Sequence, residues 1–171
     1  MKKLLMALAL LAVTFNMKAE DKKDNTSLFY KGAKVAQIGV GVGGFGIPIG
    51  LGIEYGVSDK IGIGGIVGFA SKSYPLLTDK YRVTSILIAA RGNYHFYMKD
   101  KIDAYGGLCL GYNVASAKWV GSSTLPITAS YGGLILGGQL GARYYFKPSI
   151  AVFGEVGYGL GYITIGVAKK F

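Results

Sequence analysis

The chain has 171 residues, with 28 glycines, 13 tyrosines and a formal net charge of +10. Hydrophobic residues make up 51% and charged residues only 16%, which excludes a disordered chain, and the glycine content excludes a helical bundle. The length predicts one domain, and the single cysteine excludes an internal disulfide.

Residues 1–19 have the pattern of a secretory signal peptide. Lys2 and Lys3 precede an apolar run from Leu4 to Phe15, and the small residue Ala19 ends the stretch. The run is shorter than the ~18 residues of a spanning helix, which argues against an N-terminal membrane anchor. We therefore predict cleavage after Ala19 and an exported protein. Residues 20–33 are polar and charged, and we predict that they form a flexible periplasmic leader.

The rest of the chain alternates between apolar and polar or small residues, as strands do. Eight such segments cover residues 34–44, 48–57, 61–71, 81–98, 102–115, 131–146, 150–158 and 161–171. Each is close to or above the ~9–11 residues that a membrane-spanning strand needs. No segment here would serve as a spanning helix, and only helices and closed barrels satisfy their backbone hydrogen bonds in lipid. The sequence therefore predicts an all-β protein, with an eight-stranded antiparallel up-and-down transmembrane β-barrel over residues 34–171.

The predicted connections differ between the two rims of this barrel. Tight turns fall at residues 58–60, 99–101 and 147–149, whereas the other rim has 45–48, 72–80, 117–130 and a tight turn near Gly159. Short turns at one rim and longer loops at the other are typical of outer-membrane barrels, where the short turns are periplasmic. A three-residue turn also preserves the parity of the lipid-facing positions. That parity is preserved across all three turns, for example from Ile53 to Ile63.

Aromatic residues gather beside the tight turns on the outward parity. They are Tyr55, Tyr94, Phe96, Tyr144 and Phe146. This clustering predicts an aromatic girdle at the membrane interface. The last residue, Phe171, has the outward parity of its strand and falls at the same rim.

A resemblance to the small eight-stranded outer-membrane β-barrel domain proteins of Gram-negative bacteria is carried by IGLGIEYGVSDKIGIGG, ARYYFKPSIAVFGEVGYG and GVAKKF. It covers nearly all of residues 34–171 and implies a protein of the cell outer membrane that contacts outer-membrane lipid. The terminal Phe171 resembles the C-terminal signature that the barrel assembly machinery recognises in those families, although Lys169 departs from the pattern. The resemblance implies that machinery as a partner, and we predict a monomer.

Few polar residues have the inward parity, and six of them are candidate site residues. Four are charged and two are amides: Glu54, Arg91, Arg143, Glu155, Asn93 and Gln139. Charges that face a lumen need partners or water. We therefore hypothesise an ion-pair network among the four charged residues, joined by the two amides. Such a network is either a structural plug that fills the barrel or a gate whose re-pairing opens a path.

Many inward positions are glycine, among them Gly52, Gly62, Gly107 and Gly141. An eight-stranded barrel encloses a space that side chains just fill, or that holds one small ligand. A partly water-filled lumen follows if the glycine positions stay empty. Alternatively, glycine permits the strand curvature of a small barrel and leaves no cavity.

Catalysis has little support in the sequence. His95 is the only histidine, and Ser85, on the same parity, lies ten residues away, or roughly 33 Å along a strand. Metal-ligand spacing is absent, no cofactor is predicted, and export argues against a nucleic-acid partner. We predict a non-enzymatic outer-membrane protein, mainly structural or membrane-stabilising, with a plugged lumen. The alternatives are a passive, porin-like channel or small-ligand binding through the lumen, and surface binding through loop 117–130, with Trp119 as candidate.

Overall fold

The computed structural model describes residues 27–43, 46–76, 79–120 and 128–171. The predicted signal peptide, residues 20–26 of the predicted leader and residues 121–127 of the predicted long loop lie outside these ranges. No helix long and apolar enough to cross a membrane occurs in the described part of the chain.

Eight antiparallel strands close into one barrel. They are β1 (Lys34–Val42), β2 (Ile49–Gly56), β3 (Ile61–Leu76), β4 (Asp79–Lys99), β5 (Ile102–Val120), β6 (Thr128–Lys147), β7 (Ile150–Gly157) and β8 (Ile163–Lys170). Each strand pairs with the next along the chain, and β8 pairs with β1 at the seam. The predicted all-β, eight-stranded up-and-down architecture is confirmed.

Side chains alternate between the lumen and the outer face, because successive residues of a strand point to opposite sides. In β1, Val35 and Gln37 are buried, whereas Ile38 and Val40 are exposed. The outward apolar residues are very exposed, and Leu134 and Leu136 keep 75% and 71% of their surface. Exposed apolar side chains on every strand form a continuous belt, and such a belt is stable only when lipid covers it.

The two halves of the wall differ in height. Strands β1, β2, β7 and β8 have 8 or 9 residues, whereas β3 to β6 have 16 to 21. The longer strands continue past the apolar belt as the outer ribbon, which comprises residues 70–76, 79–85, 115–120 and 128–131. The prediction that residues 72–80 and 117–130 form loops is therefore wrong for 72–76, 79–80, 117–120 and 128–130, which belong to strands. The polar residues of these segments favour loops in the sequence. Cross-strand pairs such as Tyr74 with Tyr81 instead continue the sheet beyond the apolar belt into water.

Two of the tight turns have two residues instead of three. Asp100 and Lys101 join β4 to β5, and Pro148 and Ser149 join β6 to β7. A two-residue turn would reverse the parity, but a bulge between His95 and Tyr97, and another between Tyr145 and Lys147, each insert one extra residue and restore it. The faces predicted from parity are therefore correct along most of these strands, but the cause is a bulge next to each two-residue turn instead of a three-residue turn.

The bulge before the β4–β5 turn changes the position of one residue. By parity, Met98 would lie on the lipid side with the other even-numbered residues of its strand. Because Phe96 is the extra residue of the bulge, Met98 instead turns inward and packs against the buried cluster at the short-turn mouth.

Lys101 is expected to destabilise its own turn. Asp100 and Lys101 have φ angles of 50° and 78°, in the left-handed region that costs a non-glycine residue about 1–2 kcal/mol. We expect Lys101→Gly to raise the free energy of unfolding by about 1 kcal/mol, measured by denaturant titration in lipid vesicles. The control is Lys147→Gly at the end of β6, which should lower it by about 0.5–1 kcal/mol because glycine weakens a strand. A loss of stability in Lys101→Gly would contradict this turn.

Candidate functional site: the filled lumen

Arg143 on β6 is the centre of the buried polar network. Its side chain is fully buried, and its guanidinium forms an ion pair with Glu54 on β2 and another with Asp103 on β5, at 3.4 Å. Nη2 also donates to the Gln37 side-chain oxygen at 3.1 Å, and the guanidinium carbon lies 4.5 Å from the centre of the Tyr105 ring. Asp103 is the direct cross-strand partner of Arg143, so the sheet register itself brings this pair together.

His95 on β4 lies between two carboxylates. Its Nδ1 is 2.6 Å from Asp103 and its Nε2 is 3.3 Å from Glu54. An ionised carboxylate only accepts hydrogen bonds, so an imidazolium that donates from both ring nitrogens satisfies both contacts. With His95 in that form, three buried cations (His95, Arg91 and Arg143) balance the three buried carboxylates of Glu54, Asp103 and Glu155.

A second ion pair lies nearer the outer end of the lumen. Arg91 on β4 contacts Glu155 on β7 at 2.7 Å, and the Tyr105 hydroxyl donates to the same carboxylate oxygen at 2.7 Å. The Gln37 amide nitrogen reaches Glu155 at 3.5 Å. Since the Gln37 oxygen accepts from Arg143, this glutamine joins the two ion pairs.

The two predicted amides extend the same network. Asn93 donates to Glu54 at 2.7 Å, and Gln139 donates to the Asn93 oxygen at 2.9 Å. The structure thus brings all six predicted lumen residues into one hydrogen-bonded network. Sequence reasoning left Asp103, His95, Gln37 and Tyr105 out of it. All four have the inward parity, and the position of Asp103 opposite Arg143 was a usable signal.

The inward glycines make room for these polar side chains. A Cβ atom added at Gly62 would collide with the Glu54 side chain, one at Gly107 with Asn93 and Gln139, and one at Gly141 with the Tyr105 ring. A large side chain on one strand therefore faces a glycine on the next strand. At these positions the space left by glycine is filled by a neighbour.

The chain before β1 closes the short-turn mouth. Residues 20–33 were predicted as a flexible leader, but Phe29 is fully buried and stacks on His95, with ring centres 3.7 Å apart and planes 9° apart. Gly32 donates to the Gly56 carbonyl at 2.7 Å, and Gly56 donates to Ala33 at 2.8 Å. The flexible-leader prediction therefore does not hold for residues 27–33. The cause is that Phe29, in a mostly polar stretch, packs into a buried apolar cluster at this mouth.

The end of the chain holds this segment in place. The Lys170 ammonium donates to the carbonyls of Leu28 at 3.2 Å and Ser27 at 3.4 Å, and it lies over the rings of Tyr30 and Tyr145. Phe171 donates its backbone N–H to Lys34 at 2.9 Å, so the last residue closes the seam between β8 and β1.

Leu160 narrows the other end of the lumen. The predicted tight turn near Gly159 is a five-residue connection, 158–162, and it directs Leu160 onto a buried apolar cluster of Ile66, Leu87, Ala89 and Cys109. A Cβ at Gly50 or Gly68 would lie 2.5 Å from Leu160 carbon atoms, so glycine is needed opposite it. Beyond Leu160 lies a cavity of about 220 Å³, and on its other side a void of about 20 Å³ touches Arg91 and Glu155.

The remaining candidates lie apart from the network. Ser85 donates to the Asn113 side chain at the outer mouth, so Ser85 and His95 have different partners. Trp119 is half-buried within β5 instead of lying in a loop. No group of His, Cys, Asp and Glu side chains in the described ranges could hold a metal ion.

Solved structures similar to this one include small outer-membrane barrels. OprG of Pseudomonas aeruginosa is 14% identical with a TM-score of 0.57, over 84% of this chain and 97% of that chain. The N-terminal β-barrel domain of Pseudomonas aeruginosa OprF is 17% identical with a TM-score of 0.53, over 82% and 98%. Neisserial surface protein A is 18% identical with a TM-score of 0.53, over 81% and 95%. Neither a known sequence family nor a curated protein matches the chain.

The closed wall and its lipid-facing belt define an integral membrane β-barrel. More particularly, the fold is that of the small eight-stranded outer-membrane barrels, and these likenesses support the predicted location in the cell outer membrane. At such low identities the comparisons establish the fold and not an activity.

Proposed function

We propose that this protein is a structural, membrane-stabilising barrel of the outer membrane whose lumen is sealed. The observation that carries the proposal is the column of side chains along the axis. Phe29 stacks on His95 at the short-turn mouth, the two ion pairs fill the middle, and Leu160 covers the outer side. Voids of about 20 Å³ and 220 Å³ adjoin this column, and the larger one lies outside Leu160.

Energetics favour a plug over a gate. Opening a path past Arg143 would separate it from Glu54 and Asp103 and leave buried charges without partners. Breaking a buried pair in this way costs about 3–5 kcal/mol. Since each 1.4 kcal/mol is a factor of ten, the open state would have a population of about 1% or less.

Single-channel recording in planar bilayers tests the sealed lumen. We expect the purified protein to give no steady openings, because the charged column excludes hydrated ions. Folding is checked beforehand by the change in gel mobility on heating. Steady openings whose size changes in Arg143→Ala would contradict the proposal and establish the channel alternative.

The cavity outside Leu160 supports a second candidate, the binding of a small ligand. Ser85, Leu87, Asn113 and Ile135 are among its lining residues, so the site is mainly apolar with one polar side. The volume suits a small apolar molecule that carries one carbonyl group. Titration with acetophenone, followed by NMR, would show saturable shifts at Ile135 that Leu87→Trp abolishes. Unchanged spectra would remove this candidate.

The C-terminal strand supports the proposal that the barrel assembly machinery recognises this protein. β8 closes the seam, and Phe171 is 39% exposed. Phe171→Ala, which keeps the backbone N–H that bonds to Lys34, should slow assembly in proteoliposomes that contain the machinery and leave spontaneous folding into thin bilayers nearly unchanged. If assembly and spontaneous folding were slowed equally, Phe171 would have a structural role and not a role in recognition. We also propose that the protein is a monomer.

A further proposal is surface binding through residues 117–130. Residues 117–120 and 128–130 belong to the outer ribbon, so this proposal concerns the segment between them. Shortening 121–127 to a four-residue turn should abolish binding to whole host cells if this segment carries it. Unaltered binding would remove the segment from consideration.

A further inference from the structure

The outward face of strands β3 to β6 ends in a sharp change of chemistry. Within the membrane belt, register partners on the four strands are apolar or glycine, from the row of Ile61, Tyr94, Gly106 and Leu140 to the row of Phe69, Ile86, Val114 and Gly132. The next outward row consists only of hydroxyl residues: Ser71, Thr84, Ser116 and Ser130. Hydroxyl groups in that position can hydrogen-bond to the polar part of a lipid.

Two cations lie directly beyond the hydroxyl row. Arg82 on β4 and Lys118 on β5 are direct cross-strand partners, and both side chains are exposed. Like charges in direct opposition destabilise a sheet. The Arg82 guanidinium has a weak contact with the Ser73 hydroxyl, at 3.5 Å. Lys80 is the next outward residue of β4 and adds a third positive charge.

No carboxylate offsets these charges on the same face. The outward positions of β3 to β6 carry no Asp or Glu in the part of the chain that the structure describes. The acidic residues of the membrane-spanning segments, Glu54, Asp103 and Glu155, face the lumen and are paired there. Asp79 precedes Lys80 in the chain, but its parity is that of the lumen side. A concentration of cations that costs stability, on a face whose outward positions carry no carboxylate, favours an external anion as the partner.

The height of the cations identifies the anion. Arg82 lies four residues beyond Ile86, and Lys118 four beyond Val114, on the same strands. At ~3.3 Å per residue and a strand tilt of about 40°, this is roughly 10 Å above the last apolar row. Headgroups occupy this zone, and long cationic side chains bend back toward it.

We propose that Arg82 and Lys118, with the hydroxyl row beneath them, bind a phosphate group of an outer-leaflet lipid. The Arg82 guanidinium donates in a bidentate manner to two phosphate oxygens, and Lys118 contributes a second positive charge. The apolar rows below contact the acyl chains of the same lipid. The bound lipid relieves the repulsion between the two cations and fixes the height of the barrel in the outer leaflet.

Native mass spectrometry of the intact folded protein, titrated with a diphosphorylated glycolipid, tests this site. We expect Arg82→Gln/Lys118→Gln to weaken lipid binding about 30-fold, from about fivefold per cation at an anionic lipid surface. The matched control, Lys99→Gln/Lys147→Gln, removes the same charge at the opposite rim and should leave the affinity unchanged. Phosphatidylcholine, which carries no net charge, should bind equally weakly to all three proteins.

Two results would overturn the proposal. The first is that both double variants weaken lipid binding equally, which would show that the protein's positive charge attracts the lipid without a specific site. The second result is that a soluble sulfated oligosaccharide binds through Arg82 and Lys118, while the protein shows no preference for the phosphorylated lipid. This result would assign the surface to a soluble polyanion. Because each variant retains the lumen residues, neither result depends on whether the lumen is sealed.

Discussion

Replacement of Arg143 by methionine is expected to lower the free energy of unfolding by about 3–5 kcal/mol. The substitution preserves most of the side-chain volume but leaves Glu54 and Asp103 without their guanidinium partner in a fully buried position. The loss is measured by denaturant titration in lipid vesicles, with tryptophan fluorescence as the signal. A large effect is expected because the removal of one member of a buried ion pair leaves an uncompensated charge.

Arg82→Met is the matched control for this substitution. It removes the same side chain from an exposed position that has a weak contact with the Ser73 hydroxyl. In phosphatidylcholine vesicles, its effect should stay within about 0.5 kcal/mol, as for most surface substitutions. If Arg143→Met were as mild as Arg82→Met, the buried network would not be holding the barrel interior together.

Phe29→Ala is expected to produce the second large effect. Phe29 is fully buried among Val35, Tyr145, Phe153 and neighbouring residues, so its truncation should cost about 3–5 kcal/mol. The short segment 27–33 would also detach, because Phe29 is its main apolar anchor. Detachment is measured by protease cleavage from the short-turn side, which should become much faster in the variant.

Tyr74→Ala provides the comparison for the plug residue. Tyr74 is an exposed aromatic residue of the outer ribbon, so it should change neither stability nor cleavage of segment 27–33 appreciably. Slow cleavage in Phe29→Ala, at the rate of the unaltered protein, would contradict the role assigned to Phe29.

Alternation was sufficient to predict the barrel wall. The strands had to place Ile38 and Val40 on one face and Gln37 on the other, because a slip of one residue would put charges such as Glu54 in lipid. The same parity gave the six lumen residues. The ends of the long strands were not predictable from hydropathy, since the outer ribbon is solvated on its outward face and its polar residues look like those of a loop.

The residues that seal the lumen were harder to predict. Phe29 lies in a charged stretch, and Leu160 lies in a glycine-rich connection, so neither belongs to a periodic pattern. Their roles depend on sockets that only the closed barrel creates, at His95 and at the Gly50–Gly68 pair. Asp103 differs, because its inward parity and its place opposite Arg143 could have been used.

The single cysteine offers the most direct test of a sealed lumen. Cys109 faces the lumen in the cluster under Leu160, is 4% exposed, and is the only cysteine of the chain. A small, water-soluble, membrane-impermeant thiol reagent is added to the folded protein in vesicles, and labelling is followed by mass spectrometry. There are two positive controls. One is the unfolded protein, and the other is the folded double variant Cys109→Ala/Ser130→Cys, whose new cysteine lies on the exposed ribbon. We predict that Cys109 stays unlabelled in the folded barrel and becomes labelled in Leu160→Ala. Rapid labelling of Cys109 in the unaltered folded protein would show a water-filled path through the lumen and contradict the sealed barrel.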